Sequence, residues 1–383
     1  MNNNLFKYIK KYGSKTFEEK PVTEVDILIF SQIPYLDLNN IFTSEEECIK
    51  LSDLWKRAMP QNIKKKGLPH RNAFKIMDII NTEKRYKDLL LKNYIYYLAE
   101  DTQFGAISVI VPNDSLYIVF EGTDGTLWGW KEDFKFTYTY PTTAQLMAAN
   151  YLNKNIKLNG PKVIICGHSK GGNLSLVGAM KTNILKKQKI KRIYSFDGPG
   201  LKKEEFKSLN YKLVRNKVIN IIPNLSLVGI LLEQENVKVI KSRGLGMLQH
   251  DPVTWQVEDD NLKRTEQDNL SIRLDVCINT WLEKHRFKER EEIIEGVFGM
   301  LEEAGINNFY DTKSNLLEVA HNIIKATINM DDETKEVIST SIKLLITDIG
   351  TDLINDGKQE IQEGIEKYLE FKENIEKYLK KMK

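Results

Sequence analysis

Val163-Ile-Ile-Cys-Gly-His-Ser-Lys-Gly-Gly172 decides the reading of this chain. Val163 to Cys166 is an apolar run suited to a buried strand. Gly167-His-Ser-Lys-Gly171 then fits G-x-S-x-G, and Gly171, Gly172, Gly178 and Ala179 supply small residues to a helical stretch behind it. Strand, sharp turn and helix in that order form the setting of a nucleophile elbow. Glycines flank the serine because it sits in a strained backbone conformation, where neighbouring Cβ atoms would collide with the packed strand and helix. The turn lifts the Ser169 hydroxyl to the C-terminal edge of a sheet, near a helix N-terminus whose dipole favours developing negative charge. By itself the pentapeptide is common; the competing reading is a glycine-rich turn without chemistry.

Working outward, Phe104–Val111 and Leu116–Phe120 are strand-like runs joined by the turn residues Pro112-Asn-Asp114, a β-hairpin pattern. Helical pattern runs from Thr142 to about Leu152. Strand Val163–Cys166, helix Gly171–Leu185, strand Arg192–Phe196, a short helix near Lys203–Leu209, and strands Val218–Ile222 and Val237–Ile240 follow. Strands alternating with helices imply right-handed βαβ units, so the fold class is α/β: an α/β-hydrolase fold with a mostly parallel sheet. Upstream, residues 1–25 read as a frayed leader and Asp26–Phe30 as a buried strand or a short element beside one. Ser44 and Glu47 read as a capping box for a helix with Leu51, Leu54, Trp55 and Ala58 on one face. Lys64 to Lys66 marks an exposed loop.

Past about Val257, Glu, Lys, Leu and Ile recur at helical spacing. The expected division is therefore a hydrolase domain at 26–260 and a C-terminal all-helical extension at 261–383. Ile361, Ile365, Leu369, Ile375 and Leu379 form an apolar stripe near its end. Its readings are docking on the chain's own domain, contact with a protein partner, or contact with a membrane surface.

Bulk properties narrow the function. The 383 residues carry a net charge of +3, with lysine and arginine scattered among matching acids, so nothing argues for nucleic acid. Cys48, Cys166 and Cys277 are odd in number, far apart and without CxxC spacing; this argues against disulfides or zinc and fits a reducing compartment. Met1 to Lys20 lacks an apolar segment of the signal-peptide kind, and Val218–Leu232 is broken by Asn220, Pro223, Asn224 and Ser226, so no transmembrane span is expected. The expected location is cytoplasmic.

A nucleophilic serine needs a base. Of the five histidines, His70 and His168 precede the serine, and His285 and His321 lie in helical pattern. His250 follows the last strand, in a loop with Gly244 and Gly246, which suits the order Ser, acid, His. The amide of Lys170 and one near Thr123, at the end of Leu116-Tyr-Ile-Val-Phe-Glu-Gly-Thr123, are candidate oxyanion donors. For Thr123 the competing reading is a plain strand-ending turn.

With these residues placed, the chain resembles the Mbeg1-like family of bacterial proteins, relatives of the class 3 lipases. The resemblance rests on Asp26-Ile-Leu-Ile-Phe-Ser-Gln-Ile-Pro-Tyr-Leu-Asp-Leu38, Phe120-Glu-Gly-Thr-Asp-Gly-Thr126, Trp130-Lys-Glu-Asp133, Gly167-His-Ser-Lys-Gly-Gly-Asn173, Phe196-Asp-Gly-Pro-Gly200 and Gln249-His-Asp-Pro252 with Trp255. It implies a hydrolase fold but does not supply a reaction. Class 3 lipases carry Arg-Gly-Thr or Arg-Gly-Ser where this chain has Glu121-Gly-Thr, and the resemblance casts Asp133 as a structural acid holding that loop. Their triad acid follows the strand equivalent to Val218–Ile222, where this chain offers Pro223-Asn-Leu-Ser226 and no carboxylate. Asp197, at the end of the preceding strand, is the expected substitute; its other reading is a turn-fixing role in Asp-Gly-Pro-Gly. Asn224 and Asp251 are weaker alternatives, since Asn224 lacks charge and Asp251 adjoins His250 itself; Asp124 reads equally as a structural or a catalytic acid.

The expected function is a serine hydrolase of the class 3 lipase-like type with Ser169, His250 and Asp197 as triad. It would act on a small-molecule acyl ester or thioester, lipids included, with no metal and no organic cofactor. The apolar segment Asn224–Leu232 reads as core, or as a lid or acyl-chain site. The alternative is a catalytically weak or inactive hydrolase-fold scaffold that binds a protein partner through its helical tail.

Overall fold

A computed structural model describes residues 4–303, apart from 45–46, 64–66, 100–101, 124–126 and 245. Its centre is a sheet of eight strands: β1 Cys48–Lys50, β2 Leu90–Ala99, β3 Thr102–Ile110, β4 Leu116–Phe120, β5 Val163–His168, β6 Ile190–Phe196, β7 Val218–Pro223 and β8 Val237–Ile240. Spatial order follows chain order throughout. β1 to β4 pair antiparallel, and β4 to β8 pair parallel.

The helices are α1 Leu5–Tyr12, α2 Glu24–Phe30, α3 Leu51–Asn62, α4 Leu68–Ile80, α5 Leu127–Lys135, α6 Thr143–Asn155, α7 Lys170–Lys181, α8 Ile184–Lys187, α9 Leu209–Lys212, α10 Asn269–Lys284 and α11 Phe287–Glu303. Parallel strands added always in one direction, by crossovers of one hand, put their connecting helices on one face. The core divides accordingly. Leu116, Ile118 and Phe120 of β4 and Val163 and Ile165 of β5 pack with Ala148 and Leu152 of α6 and Leu174 and Val177 of α7. The alternate residues, Tyr117, Val119, Ile164 and Cys166, face the other way, toward Leu28 and Phe30 of α2 and the wholly buried Trp255. This period-2 division leaves every position of β4 and β5 buried, as a sheet covered on both faces requires. The topology and the strand–elbow–helix at β5–α7 make this an α/β-hydrolase fold.

Several upstream expectations change. Residues 5–12 are no frayed leader: they form α1, capped by Asn4, with Leu5, Tyr8 and Ile9 buried. Tyr8 donates to Asp26 Oδ2 at 2.9 Å, and Arg85 donates to both oxygens of that carboxylate, at 2.8 and 2.6 Å, so an entirely buried ion pair anchors the N-terminal segment. Asp26–Phe30 is helical because Thr23 and Asp26 make the reciprocal capping bonds that start α2. Ser44 and Glu47 do not cap α3, whose N-cap is Lys50; Glu47 turns back to Thr43 and reaches Arg57. The predicted hairpin gains an outer partner, β2, unreadable as a strand because its pattern breaks at Asn93, where φ is 56° and the register to β3 shifts.

After β8 the chain forms a two-residue ladder, β9 Val257–Glu258 with β10 Asn261–Leu262, and then α10 and α11. α10 meets the loop after β7, where Ser271 donates to the Ser226 carbonyl. α11 packs on α5 through Phe298 against Phe134 and the Lys131–Glu295 pair. The stripe at 361–379, His321 and the Lys64–Lys66 loop lie outside the described residues.

Candidate active site

β5 runs to His168 and stops at Ser169, which takes φ 57° and ψ −131° and is the N-cap of α7. A serine in that region of φ is strained, and the neighbours hold it there. Its amide donates to the Phe196 carbonyl at 2.9 Å, and its carbonyl accepts from Gly172 at 2.8 Å. A Cβ on Gly171 would run into the Phe120 carbonyl, and one on Gly167 into the Gly171 backbone. The expected reason for the glycines therefore holds atom by atom. Ser169 itself is 4% exposed.

Asp197 ends β6, with φ 48°. Its amide donates to Ile221 O of β7 at 2.7 Å, which fixes where the carboxyl emerges. Oδ2 lies 2.6 Å from His250 Nδ1. Oδ1 accepts from Ser226 Oγ at 2.5 Å and from the Gly229 amide at 3.1 Å. The Asp197 side chain is wholly buried, so these bonds replace its hydration. A carboxylate only accepts, hence Nδ1 of a neutral His250 carries the proton and Nε2 carries the lone pair. Asp197, His250 and Ser169 thus gather at one corner of the sheet although separated widely in sequence. The Asp-Gly-Pro-Gly loop is tied to α7 by Asn173, which donates to Pro199 O and Gly200 O at 3.2 and 2.9 Å.

The other candidates for orienting His250 go elsewhere. Asn224 Oδ1 accepts from the Ser242 amide. Asp251 accepts from Asn72 Nδ2 and caps the short turn at Val253. Asp124 lies outside the described residues. Asp133 is buried and its Oδ2 accepts from Thr123 Oγ1 at 2.7 Å. Burial pushes the Asp133 carboxyl up to about 7, against the opposing pull of the Lys170 ammonium and the Thr123 bond.

Thr123 and Lys170 follow the ends of adjacent strands, β4 and β5, whose last paired residues are Phe120 and Gly167. Gly122 sits against Tyr35 Oη and the His168 carbonyl, with no room for a side chain. The Asn224–Leu232 segment contributes Val228, Ile230, Leu231 and Leu232 to the interior, all buried.

His168, set aside in the sequence because it precedes the serine, also belongs to the site. Its Nε2 lies 2.8 Å from the His250 carbonyl, and its Nδ1 lies 2.9 Å from Tyr35 Oη. A carbonyl only accepts, so Nε2 bears the proton and Nδ1 accepts from the tyrosine. The two imidazoles are 4.5 Å apart, tilted 35°. Burial first, then the neighbouring His250, holds His168 well below the usual histidine range, so it stays neutral. Ser226, Gly229 and Gln103, whose side-chain oxygen accepts from the Lys170 ammonium, carry no sequence signal that marks them, and Tyr35, though inside the Asp26–Leu38 stretch, has no role written there; they are found by contact alone.

Among the described residues no group of His, Cys, Asp and Glu is arranged to hold a metal ion, and no helix is long and apolar enough to cross a membrane.

The Mbeg1-like family model matches residues 80–299, more than half of the chain, and the chain belongs to that family. No curated protein matches it. Among solved structures it is similar to an M37 lipase, at 16% identity and a TM-score of 0.31, over 55% of this chain and 70% of the lipase chain.

Proposed function

We propose that this Mbeg1-like protein is a serine hydrolase of the class 3 lipase-like type that cleaves an acyl ester or thioester, lipid esters included. One observation carries the reading most: Asp197 Oδ2 and His250 Nδ1 stand 2.6 Å apart beside the Ser169 elbow. Ser169 Oγ attacks the acyl carbonyl while His250 Nε2 takes its proton. The Lys170 and Thr123 amides receive the oxyanion, and collapse of the tetrahedral adduct expels the alcohol or thiol, protonated by His250. Water, activated by the same imidazole, then releases the acid. Asp197 keeps the imidazole in its Nδ1–H tautomer and balances its charge when protonated. The steps need only side chains and amides of this chain.

We place the hydrolase domain from α1 through the β9–β10 ladder rather than from residue 26, with the helices from α10 onward beyond it and a cytoplasmic location. The alternative is a binding scaffold working through the helical tail, which a missing carboxylate after β7 would suit. Asp197 at hydrogen-bond distance from His250 supports the hydrolase reading over it.

Labelling of wild type, Ser169→Ala and His250→Ala by a fluorophosphonate probe tests the reading. Labelling of wild type alone is the expected result. A folded wild type that stays unlabelled would favour the scaffold and direct attention to partners of the helical tail.

A further inference from the structure

Behind the two oxyanion amides lies a buried polar network that the triad chemistry leaves unused. Lys170 is wholly buried. Its ammonium donates to the Gln103 carbonyl at 2.9 Å, to Gln103 Oε1 at 2.7 Å and to Glu132 Oε2 at 2.7 Å. Three protons meet three acceptors, so the side chain has one geometry. The Gln103 amide also donates to Glu132 Oε2, at 3.2 Å. Gln103 Nε2 donates to the Gly122 carbonyl, at 3.4 Å.

The last bond is long, but its acceptor gives it weight. The Gly122 carbonyl and the Thr123 N–H belong to one planar peptide, in which C=O and N–H point in opposite directions. Holding the carbonyl toward Gln103 therefore aims the Thr123 N–H away from Gln103. The other oxyanion amide belongs to Lys170, whose side chain ends on the same glutamine. One residue of β3 thus touches the peptide of one donor and the side chain of the other, and Glu132 of α5 clamps both.

Stability does not explain this arrangement. A buried ion pair loses hydration that its mutual attraction barely restores, and an apolar pair of equal volume commonly serves as well. What such a buried network does provide is rigidity: every proton of the Lys170 ammonium is engaged, although Glu132 Oε1 has no hydrogen-bond partner. Rigidity matters at an oxyanion hole, where the donors must already stand where charge will develop.

We propose that Gln103 and Glu132 are positioning residues that hold the Thr123 and Lys170 amides in mutual register through the Lys170 ammonium. The proposal rests on the hydrolase reading above.

The test compares wild type with Gln103→Met, Gln103→Glu and Glu132→Gln. Gln103→Met removes both side-chain bonds at similar volume. Gln103→Glu keeps an acceptor for Lys170, replaces the donor to Gly122 by an oxygen and adds a carboxyl beside Glu132; it serves if the methionine variant does not fold. Glu132→Gln removes the counter-charge and keeps the shape. Each folded variant is assayed with p-nitrophenyl butyrate and with an alkyl trifluoromethyl ketone, whose adduct on Ser169 carries an oxyanion. Loss of one donor outright costs roughly 10²–10³ in kcat, so misplacing one is expected to cost about 10- to 100-fold. KM is expected to stay within about twofold, and ketone affinity to fall in parallel with kcat. Folded Gln103 variants with wild-type kcat and ketone affinity, whatever their melting temperature, would overturn the positioning role while the labelled wild type upholds the hydrolase. A wild type that the fluorophosphonate does not label overturns both.

Discussion

Replacing Asp197 by Asn changes a single atom, and the surroundings dictate where it goes. Oδ1 accepts from Ser226 Oγ and from the Gly229 amide, and Oδ2 accepts from His250 Nδ1. The Gly229 N–H is part of the backbone and cannot become an acceptor, so the asparagine oxygen must stay on that side. Its NH₂ then faces His250, and Nδ1 can meet it only by giving up its proton. The imidazole switches to the Nε2–H tautomer, with no lone pair left for the Ser169 proton. The fold keeps its bonds and loses its base. In the serine-protease precedent, the wrong tautomer lowers kcat by about 10⁴, equivalent to roughly 5 kcal/mol at 1.36 kcal/mol per tenfold. The expected outcome is therefore a melting temperature near that of wild type, with fluorophosphonate labelling and ester turnover slowed by about 10⁴. An Asp197→Asn protein within about tenfold of wild type, beside an inert Ser169→Ala, would refute the assignment of Asp197 as the orienting acid.

Four further outcomes follow from the contacts described. Gly122→Ala drives a methyl group into Tyr35 Oη and the His168 carbonyl, so denaturant unfolding should show a loss of at least about 1–3 kcal/mol, with turnover falling because the Thr123 peptide moves. Arg85→Met leaves the buried Asp26 carboxylate without its cation and should cost about 3–5 kcal/mol in urea unfolding, without altering labelling of the protein that remains folded. For pH, His168 has a depressed folded-state pKa, so below about 6.5 the unfolded chain binds the extra proton and stability falls as pH drops, by up to about 1.4 kcal/mol per unit; His168→Gln should flatten this limb in urea titrations between pH 5 and 7. Asp133 has the opposite sign: raised to about 7, it binds a proton in the folded state that the unfolded chain gives up near 4, so stability falls as pH rises between those values, and Asp133→Asn should remove that slope.

The strand–elbow–helix, His250 and Asp197, on which the proposed site rests, are legible because each is tied to a local pattern: apolar strand then glycines, a loop after the last strand, a carboxylate just past a strand end. Order along the chain sufficed to place them, since parallel strands deliver their C-terminal ends to one edge. What sequence could not supply is contact between elements far apart. Ser226 and Gly229 reach Asp197 across a loop with no motif, and Gln103 reaches the elbow from an antiparallel strand whose residues look like plain core. α1 is hidden in the sequence for a related reason. Leu5, Tyr8 and Ile9 are spaced for one helical face, but the surrounding lysines suggested solvent, and only the Asp26–Arg85 pair shows why that face is buried. His168 was set aside by a rule about triad order, which governs the base and says nothing about a histidine that steadies it.

Where the chain departs from local preference bears on enzyme against scaffold. Eight described residues other than glycine have positive φ: Asn40, Asn93, Asn113, Ser169, Asp197, Leu232, Asn236 and Asp259. Asparagine and aspartate tolerate that region in turns, so most of these need no special cause. Ser169 and Leu232 do. Ser169 is the elbow, and Leu232 closes the Gly229–Leu232 stretch whose first amide binds Asp197 and whose Leu231 carbonyl accepts from Gly200. Each such residue costs on the order of 1–3 kcal/mol and persists only where the surroundings force it. A buried carboxylate, a neutral buried histidine and a buried lysine–glutamate pair crowd the same edge. A scaffold binding through its helical tail gains nothing from strain and desolvation gathered there, whereas a hydrolase needs an exposed angle at the serine, a fixed tautomer at the histidine and rigid amides between them. The placement of the costs therefore favours the enzyme.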